Sequence, residues 1–276
     1  KRLMTTKQIL IINDLCSYGK VSTTAMLPIL SYLGVPTGIL PTSLVSNTFD
    51  YGNYSMMETT SFLADTIEKW QELGFGFEAI ATGFIPTRQQ ADLISRYCKA
   101  EAAKGTTIFV DPIMGDEGQM YKGMRPEELV GAMREMISVA DLCYPNYTEA
   151  CYLSGAKYNP GGVTKDEAAA LLDKLHGIGA KSVLITSIVI DGQPSVAGYN
   201  NQNKEYFYLP FTEIPVHFPG TGDIFSAILI GHIMNGDPLT ASTRKAMDGV
   251  YNLIDLNKDN KDKNRGIPLE KYLSIL

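Results

Sequence analysis

Short apolar runs recur along the chain, and most of them end at polar residues. Five runs have the length and composition of buried strands, namely residues 9–12, 79–82, 106–110, 141–144 and 181–186. The polar residues that close or follow them are Asp14, Thr82 with Gly83, Asp111, Asn146, and Thr186 with Ser187. Because ligands of open α/β sheets bind outside the carboxyl ends of parallel strands, these polar ends indicate where a site would form.

Segments of helical length separate these runs. Their predicted ranges are 22–33, 59–73, 87–104, 126–139, 147–154, 164–176, 224–234 and 238–256. A further strand or edge segment is predicted at 38–44, a hairpin at 193–199 and 204–209, and loops at 46–53 and 257–264, the latter solvated. This alternation predicts an α/β fold with a mostly parallel central sheet and helices on both faces. No linker divides the chain, so we expect a single domain over residues 1–276.

The composition indicates which cellular compartment and which classes of binding partner to expect. The chain has 276 residues, 45% hydrophobic and 20% charged, with a formal net charge of −6, as in ordinary soluble globular proteins. This charge does not favour nucleic acid or an anionic membrane as a partner. The apolar run at 9–12 is too short for a signal peptide or a membrane span. Cys16, Cys98, Cys143 and Cys151 form no metal-ligand or CxxC pattern, so we expect free thiols and a cytoplasmic protein.

Residues 219–223, PGTGD, stand directly before the apolar run 224–234. Gly220 and Gly222 allow a close backbone approach to a ligand, and a helix start offers an anion unpaired N–H groups and the positive end of the dipole. Asp223 would lie beside a phosphoryl group bound there and could accept a proton from an attacking hydroxyl. The alternative is a plain tight turn in which Asp223 caps the helix. No Gly-Lys-Ser/Thr follows, so this is not a Walker A loop.

Two other segments combine carboxylates and an amide. DPIMGD places Asp111 and Asp116 around a glycine just past a strand, where they suit Mg²⁺ or simply form a turn. PNYTEA places Asn146 and Glu149 at a helix start, where they face one water or metal ion or form a capping box. The residues alone favour the capping box.

The order of the motifs is distinctive. DPIMGD, PNYTEA, ITS and PGTGD, in this order, resemble the ribokinase-like superfamily of small-molecule kinases. Within it, YGKV at 18–21, TSLVSNT at 42–48 and ATGF at 81–84 are similar to motifs of the pyridoxal kinase family. The resemblance extends from Ile9 to about Leu256. It implies a three-layer, ribokinase-like sandwich.

For the acceptor substrate, the resemblance implies a base, an anion hole and a ring pocket. Asp223 would take the proton from a hydroxymethyl group of the substrate, and the amides of Gly220, Thr221 and Gly222 would hold the transferring γ-phosphoryl group. The residues lining the pyridine pocket would be Asp14, Val21, Ser46, Asn47 and Phe84.

For the nucleotide, the resemblance implies a second set of binding residues. The residues that would organise Mg²⁺, its waters and the triphosphate of ATP are Asp111, Asp116, Asn146 and Glu149, with the metal nearest to Asp111, Asp116 and Glu149. Tyr121, in GQMYKG, would lie on a loop over the phosphates. Thr186 and Ser187, which by themselves could simply end a strand, would contact ATP phosphate. Family members commonly need a monovalent cation such as K⁺ and are commonly homodimers.

Three departures from the family pattern fall on the substrate side. Asp14 stands where the family usually has serine, Phe49 where it often has threonine, and Phe84 where it has tyrosine. A carboxylate at position 14 could pair with a protonated ring nitrogen or the nearby phenol, or could be a buried acid satisfied by loop amides. Phe84 keeps the flat ring for stacking and loses a hydroxyl.

The expected activity is therefore ATP-dependent phosphorylation of the 5′-hydroxymethyl group of a B6 vitamer, in pyridoxal 5′-phosphate salvage. The enzyme alternative is hydroxymethylpyrimidine kinase of thiamine synthesis, which shares the motifs and a flat heterocyclic substrate. A catalytically silent nucleotide- or vitamer-binding regulator is the alternative from another class. The presence of Asp223 and both carboxylates of DPIMGD disfavours the regulator.

Overall fold

Strands and helices alternate through residues 8–121 and 126–276, which are the residues that the structure, a computed structural model, describes. In chain order the elements are β1 (Ile9–Cys16), α1 (Ser22–Tyr32), β2 (Thr37–Val45), β3 (Met56–Glu58), α2 (Thr60–Leu73), β4 (Ala79–Thr82), α3 (Arg88–Ala102), β5 (Thr107–Val110), β6 (Gly115–Asp116), β7 (Gln119–Met120), α4 (Pro126–Ile137), β8 (Leu142–Cys143), α5 (Tyr147–Ser154), α6 (Lys165–Ile178), β9 (Ser182–Ile190), β10 (Gln193–Asn200), β11 (Glu205–Pro210), α7 (Thr221–Met234) and α8 (Leu239–Asn257). Short 3-10 helices lie at Phe49–Tyr51, Leu269–Lys271 and Leu273–Ile275.

These elements form two units, the first from residues 8–86 and 213–276 and the second from 87–121 and 126–212. In the first unit the strand order is β4-β1-β2-β3, in which β1 is parallel to both neighbours and β3 is antiparallel to β2. The apolar start of β1 lies between two strands and is buried, which explains its lack of alternating polar positions. Helix α7 packs against α1 and α8. Gly231 of α7 leaves room for the side chain of Leu33, which a Cβ at Gly231 would meet at 2.4 Å.

In the second unit the strand order is β5-β8-β9-β10-β11. Strands β5, β8 and β9 are parallel, and β9, β10 and β11 are antiparallel. Strands β6 and β7 form a separate hairpin. Helices α4, α5 and α6 contribute buried apolar faces to this unit.

The predicted α/β fold with a mostly parallel sheet is confirmed: parallel pairs join β4, β1 and β2 in the first unit and β5, β8 and β9 in the second, and the antiparallel pairs of these strand orders involve β3, β10 and β11. Strand β4 and helix α5 have the predicted bounds, and the other predicted elements differ by a few residues at their ends. Strands β3, β6 and β7 were not predicted. The single domain over 1–276 stays a prediction. Within the described ranges, no helix combines the length and apolar character that a membrane crossing requires.

Candidate functional site

Asp223 lies in the first turn of α7, directly after the glycine turn that the sequence predicts. The helix begins at Thr221, and Gly220 before it has a φ of +85°, a left-handed conformation that favours glycine. A Cβ on Gly220 would lie 2.3 Å from the carbonyl oxygen of Lys20, so only glycine fits this approach. The turn therefore leaves the first N–H groups of α7 available to an anion, with Asp223 beside them.

Two donors hold the Asp223 carboxylate. The backbone N–H of Ser22 donates to Oδ2 at 2.7 Å, and the Asn13 side-chain Nδ2 donates to Oδ1 at 3.4 Å. Ser22 is the first residue of α1, so the carboxylate also lies at the positive end of that helix. Burial raises the pKa of Asp223 to about 6, although these two hydrogen bonds oppose the rise. Such a pKa suits a general base that works near neutral pH.

A second carboxyl group lies close by. Asp14 is 4% exposed, near the carboxyl end of β1. Burial raises the pKa of Asp14 to about 7, the negative charge of Asp223 adds to the rise, and a hydrogen bond with the Ser22 side chain opposes it. The charge of Asp223 therefore favours the protonated form of Asp14.

The loop residues assigned to the ring pocket lie in the same unit. Phe84 follows β4, its backbone N–H donates to Asn13 Oδ1 at 2.7 Å, and its ring meets Phe49 edge-on at 6.0 Å between centroids. Ser46 donates to Asn47 Oδ1, while Asn47 donates to the carbonyl of Asn53, so both side chains brace their own loop. Val21 is the N-cap of α1 and its carbonyl accepts a hydrogen bond from Thr24 Oγ1.

The loop at 257–264, predicted as a solvated element, has a bracing role that the sequence did not indicate. The carbonyl of Asn264 accepts a hydrogen bond from Thr48, and Asp262 accepts one from Tyr51 at 2.8 Å. The next residue, Arg265, lies over the ring of Tyr18 at 4.7 Å and accepts a backbone bond from Lys20. The C-terminal segment thus anchors the loops that carry the proposed ring-pocket residues.

In the second unit, Asn146 and Glu149 form the capping box that the residues favoured. Asn146 Oδ1 accepts from the backbone N–H of Glu149, and Glu149 Oε2 accepts from that of Asn146, each at 2.9 Å. The pair also binds the preceding segment, because Glu149 Oε1 accepts from Met114 N–H and Asn146 Nδ2 donates to the Gly115 carbonyl. Glu149 is 3% exposed, and burial raises its pKa to about 7 against the effect of these backbone donors.

The two carboxylates of DPIMGD differ in their surroundings. Asp111 is half-buried after β5, whereas Asp116 is exposed on β6, where its Oδ1 accepts from Glu117 N–H at 2.8 Å. Among the residues that the structure describes, no three His, Cys, Asp or Glu side chains are grouped closely enough to hold a metal ion. Asp111, Asp116 and Glu149 therefore do not form a joint set of direct metal ligands, and both carboxylate oxygens of Glu149 already accept backbone N–H groups.

The remaining nucleotide-side residues lie near this capping box or on the hairpin. Thr186 of β9 pairs with Asn146 through an isolated parallel bridge, and Ser187 beside it is exposed with a φ of +53°. Tyr121 follows the β6–β7 hairpin, is 45% exposed, and donates its backbone N–H to the carbonyl of Met114. Positions 122 and 123 of the GQMYKG motif lie outside the described residues.

Sequence reasoning missed two residues of the first unit. Asn13 is 1% exposed and contacts both Asp223 and the backbone of Phe84, and Ser22 contacts both carboxyl groups. The one available signal was the polar pair Asn13-Asp14 at the end of an apolar run, which does not reveal the partners of either side chain.

Known proteins resemble the chain over nearly its whole length. A model of the phosphomethylpyrimidine kinase family matches residues 30–267. The pyridoxal kinase of Arabidopsis thaliana is 28% identical over 249 residues, which cover 83% of this chain and 78% of that protein.

Two solved structures extend the similarity to three dimensions. One is a Bacteroides thetaiotaomicron protein provisionally named a phosphomethylpyrimidine kinase and crystallised with pyridoxal, with a TM-score of 0.92, 33% identity, and coverage of 98% of this chain and 95% of its own. The pyridoxal kinase of Lactobacillus plantarum has a TM-score of 0.87 and 28% identity, covering 99% of this chain and 97% of its own.

Proposed function

The chain belongs to the phosphomethylpyrimidine kinase family, and from this premise we propose that it transfers the γ-phosphoryl group of ATP to the 5′-hydroxymethyl group of a B6 vitamer. The vitamer is pyridoxal, pyridoxine or pyridoxamine. The predicted kinase class and the ribokinase-like fold are confirmed by the family and by the pyridoxal kinases among its relatives.

The observation that carries the proposal is the setting of Asp223. A half-buried carboxylate at a glycine turn, in the first turn of a helix and with its pKa raised to about 6, suits proton removal from an alcohol. The choice of a pyridine substrate is supported by the Bacteroides relative, which was crystallised with pyridoxal.

In the proposed mechanism, Asp223 accepts the proton of the hydroxymethyl group as its oxygen attacks phosphorus. The amides of Gly220, Thr221 and Gly222 stabilise the charge on the transferring group, because N–H groups at a helix start face an anion without prior rearrangement. Catalysis in this class of reaction depends mainly on positioning and on charge neutralisation. We assign Asp14, Val21, Ser46, Asn47 and Phe84 to the binding of the ring.

We assign the nucleotide to the second set of residues. Asp111, Asp116 and Glu149 would hold Mg²⁺ largely through water, because the three acids are not grouped closely enough to bind one ion directly together, with Asn146 ordering Glu149. Bound there, Mg²⁺ would neutralise charge on the phosphates. Contacts to ATP phosphate are assigned to Tyr121, Thr186 and Ser187. A monovalent cation such as K⁺ is proposed from the family resemblance.

Three further properties belong to the same proposal: a single domain, a homodimer and a cytoplasmic location. The location is supported by the cysteines, all four of which are buried free thiols. The single domain rests on the lack of a linker in the sequence, and the dimer rests on the family resemblance.

A coupled ADP-release assay with Mg-ATP tests the proposal. It is run with pyridoxal, pyridoxine, pyridoxamine and hydroxymethylpyrimidine in parallel, on the wild type and on Asp223→Ala. We expect turnover of at least one B6 vitamer, and a loss of about 10²–10⁴-fold in the variant, which is the usual contribution of a positioned base. ATP affinity, measured by calorimetry, should change little.

Other results would redirect the assignment. Turnover of the pyrimidine alone would keep the kinase chemistry and move the protein to thiamine synthesis. No turnover of any acceptor would support the regulator, and near-normal activity of Asp223→Ala would remove Asp223 from the role of base.

A further inference from the structure

We propose that Asn13 is a positioning residue that fixes the carboxylate of Asp223 relative to Phe84. This inference rests on the proposed function, because it gives the base and the ring-binding residue a common support. Asn13 itself touches neither the reacting alcohol nor ATP in this assignment.

The geometry around the Asn13 amide carries the inference. Its Nδ2 donates to Asp223 Oδ1 at 3.4 Å, and its Oδ1 accepts from the backbone N–H of Phe84 at 2.7 Å. The same oxygen accepts from Asp14 N–H at 3.0 Å, and Nδ2 also lies 3.8 Å from the sulfur of Met26. One planar side chain therefore connects β1, the segment after β4 and the first turn of α7.

The surroundings leave this amide little freedom. Asn13 is 1% exposed, and a Cβ on Gly83 would lie 2.4 Å from its side-chain carbon. The glycine before Phe84 is therefore needed for the amide to fit. Because both ends of the amide are engaged, loss of the amide would free Asp223 and Phe84 to move relative to each other.

Two consequences can be measured separately. Asn13 Nδ2 stabilises the charged form of Asp223. Loss of this donor therefore raises the pKa of Asp223 and moves the acidic limb of the pH–rate profile to higher pH. Asn13 Oδ1 holds the backbone of Phe84, which we assign to the binding of the ring. Loss of this acceptor therefore raises KM for the vitamer. A misplacement of about 1 Å can cost about 10²-fold in rate, but Ser22 still holds Asp223, so we expect kcat to fall about 10–100-fold.

The test is Asn13→Leu, which keeps the approximate volume and removes both polar atoms. Thr243→Val is the matched control, because Thr243 is also fully buried in the first unit, on α8, and its hydroxyl donates to the Leu239 carbonyl, so this variant likewise removes a buried hydrogen bond. We expect the lower kcat, the higher KM for the vitamer and the displaced acidic limb in Asn13→Leu alone, with KM for ATP unchanged. Equal losses in both variants, or an unmoved acidic limb in Asn13→Leu, would overturn the inference.

A second variant and a second readout keep the inference testable. Asn13→Ser is smaller and polar, and serves if the leucine variant does not fold. Carboxyl ¹³C NMR titration of Asp223, without substrate, should show a higher pKa in either variant than in the wild type. If the wild type phosphorylates no vitamer, the proposed function fails, while this titration still decides the role of Asn13: an unchanged pKa of Asp223 would refute it.

Discussion

Replacing Asp14 by asparagine should change how stability depends on pH. Asp14 is 4% exposed, and its pKa is raised from the ordinary 3.8 to about 7, mainly by burial. The fold therefore favours the protonated carboxyl. Its favourable contribution is complete below pH 3.8 and is lost as the pH rises through about 7. Asp14→Asn removes this dependence.

The size of the effect follows from the two pKa values. Between about pH 5 and pH 7, the folded protein keeps a proton on Asp14 that the unfolded chain has released, so stability falls by about 1.4 kcal/mol per pH unit. The stability of Asp14→Asn relative to the wild type should thus rise by roughly 3 kcal/mol between about pH 5 and pH 8.

Urea unfolding followed by tryptophan fluorescence measures this difference. The single tryptophan, Trp70, lies on α2 of the first unit and packs against Phe77, so its signal reports the unit that contains Asp14. Asp255→Asn is the charge-matched control, because Asp255 is an exposed acid of the same unit paired with Lys258. Parallel pH dependences for Asp14→Asn and the wild type would refute the reasoning.

Two further predictions use matched pairs of substitutions. Gly220→Ala and Gly74→Ala both place alanine at a positive φ, +85° and +71°, but only Gly220 faces a backbone oxygen, at 2.3 Å from the added Cβ. Gly220→Ala should therefore lose more than about 1 kcal/mol beyond Gly74→Ala in urea unfolding and should lose activity, and equal losses would contradict the close approach. Asn146→Ala should lower the free energy of unfolding, followed by circular dichroism, by about 1–2 kcal/mol and should raise KM for ATP. Thr164→Ala breaks the capping box of α6 in the same unit and should lower stability alone. An unchanged KM for ATP in Asn146→Ala would count against a role of Asn146 near the nucleotide.

The regular elements could be predicted where a pattern was long or sharply bounded. Helix α5 ends at Ser154, before Gly155 with its φ of +72°, and β4 ends at Thr82, before Gly83, so a neighbouring glycine marked both ends in the sequence. Strands β6 and β7 have two residues each, too few to show a periodic pattern of hydrophobic positions. The turn between them is formed by Glu117 and Gly118, both at positive φ. Strand β3 is a short, fully exposed edge without a buried face to mark it.

The candidate site was predictable to the extent that its residues stand in motifs. Asp223 and its glycines are contiguous, so their local geometry followed from the sequence. The contacts of Asn13 join positions 210 and 71 residues apart, and no local pattern encodes which strand end meets which helix start. Only the folded structure shows which groups bind the Asn13 amide, namely Asp223 and the backbone of Asp14 and Phe84. Its role could therefore be inferred only from these contacts.

The acids assigned to the reaction also have a stability consequence. Asp14, Asp223 and Glu149 all have pKa values raised by burial, to about 7, 6 and 7, although donors at helix starts hold the last two. Each therefore weakens the fold as the pH rises towards neutrality. A protein selected for stability alone would replace such groups, whereas proton transfer near pH 7 needs a carboxyl that can change its charge there. Asp14→Asn should therefore stabilise the first unit near neutral pH and leave the acidic limb of activity in place, unlike Asn13→Leu, because Asp14, with its pKa of about 7, is still largely protonated while Asp223 titrates at about 6.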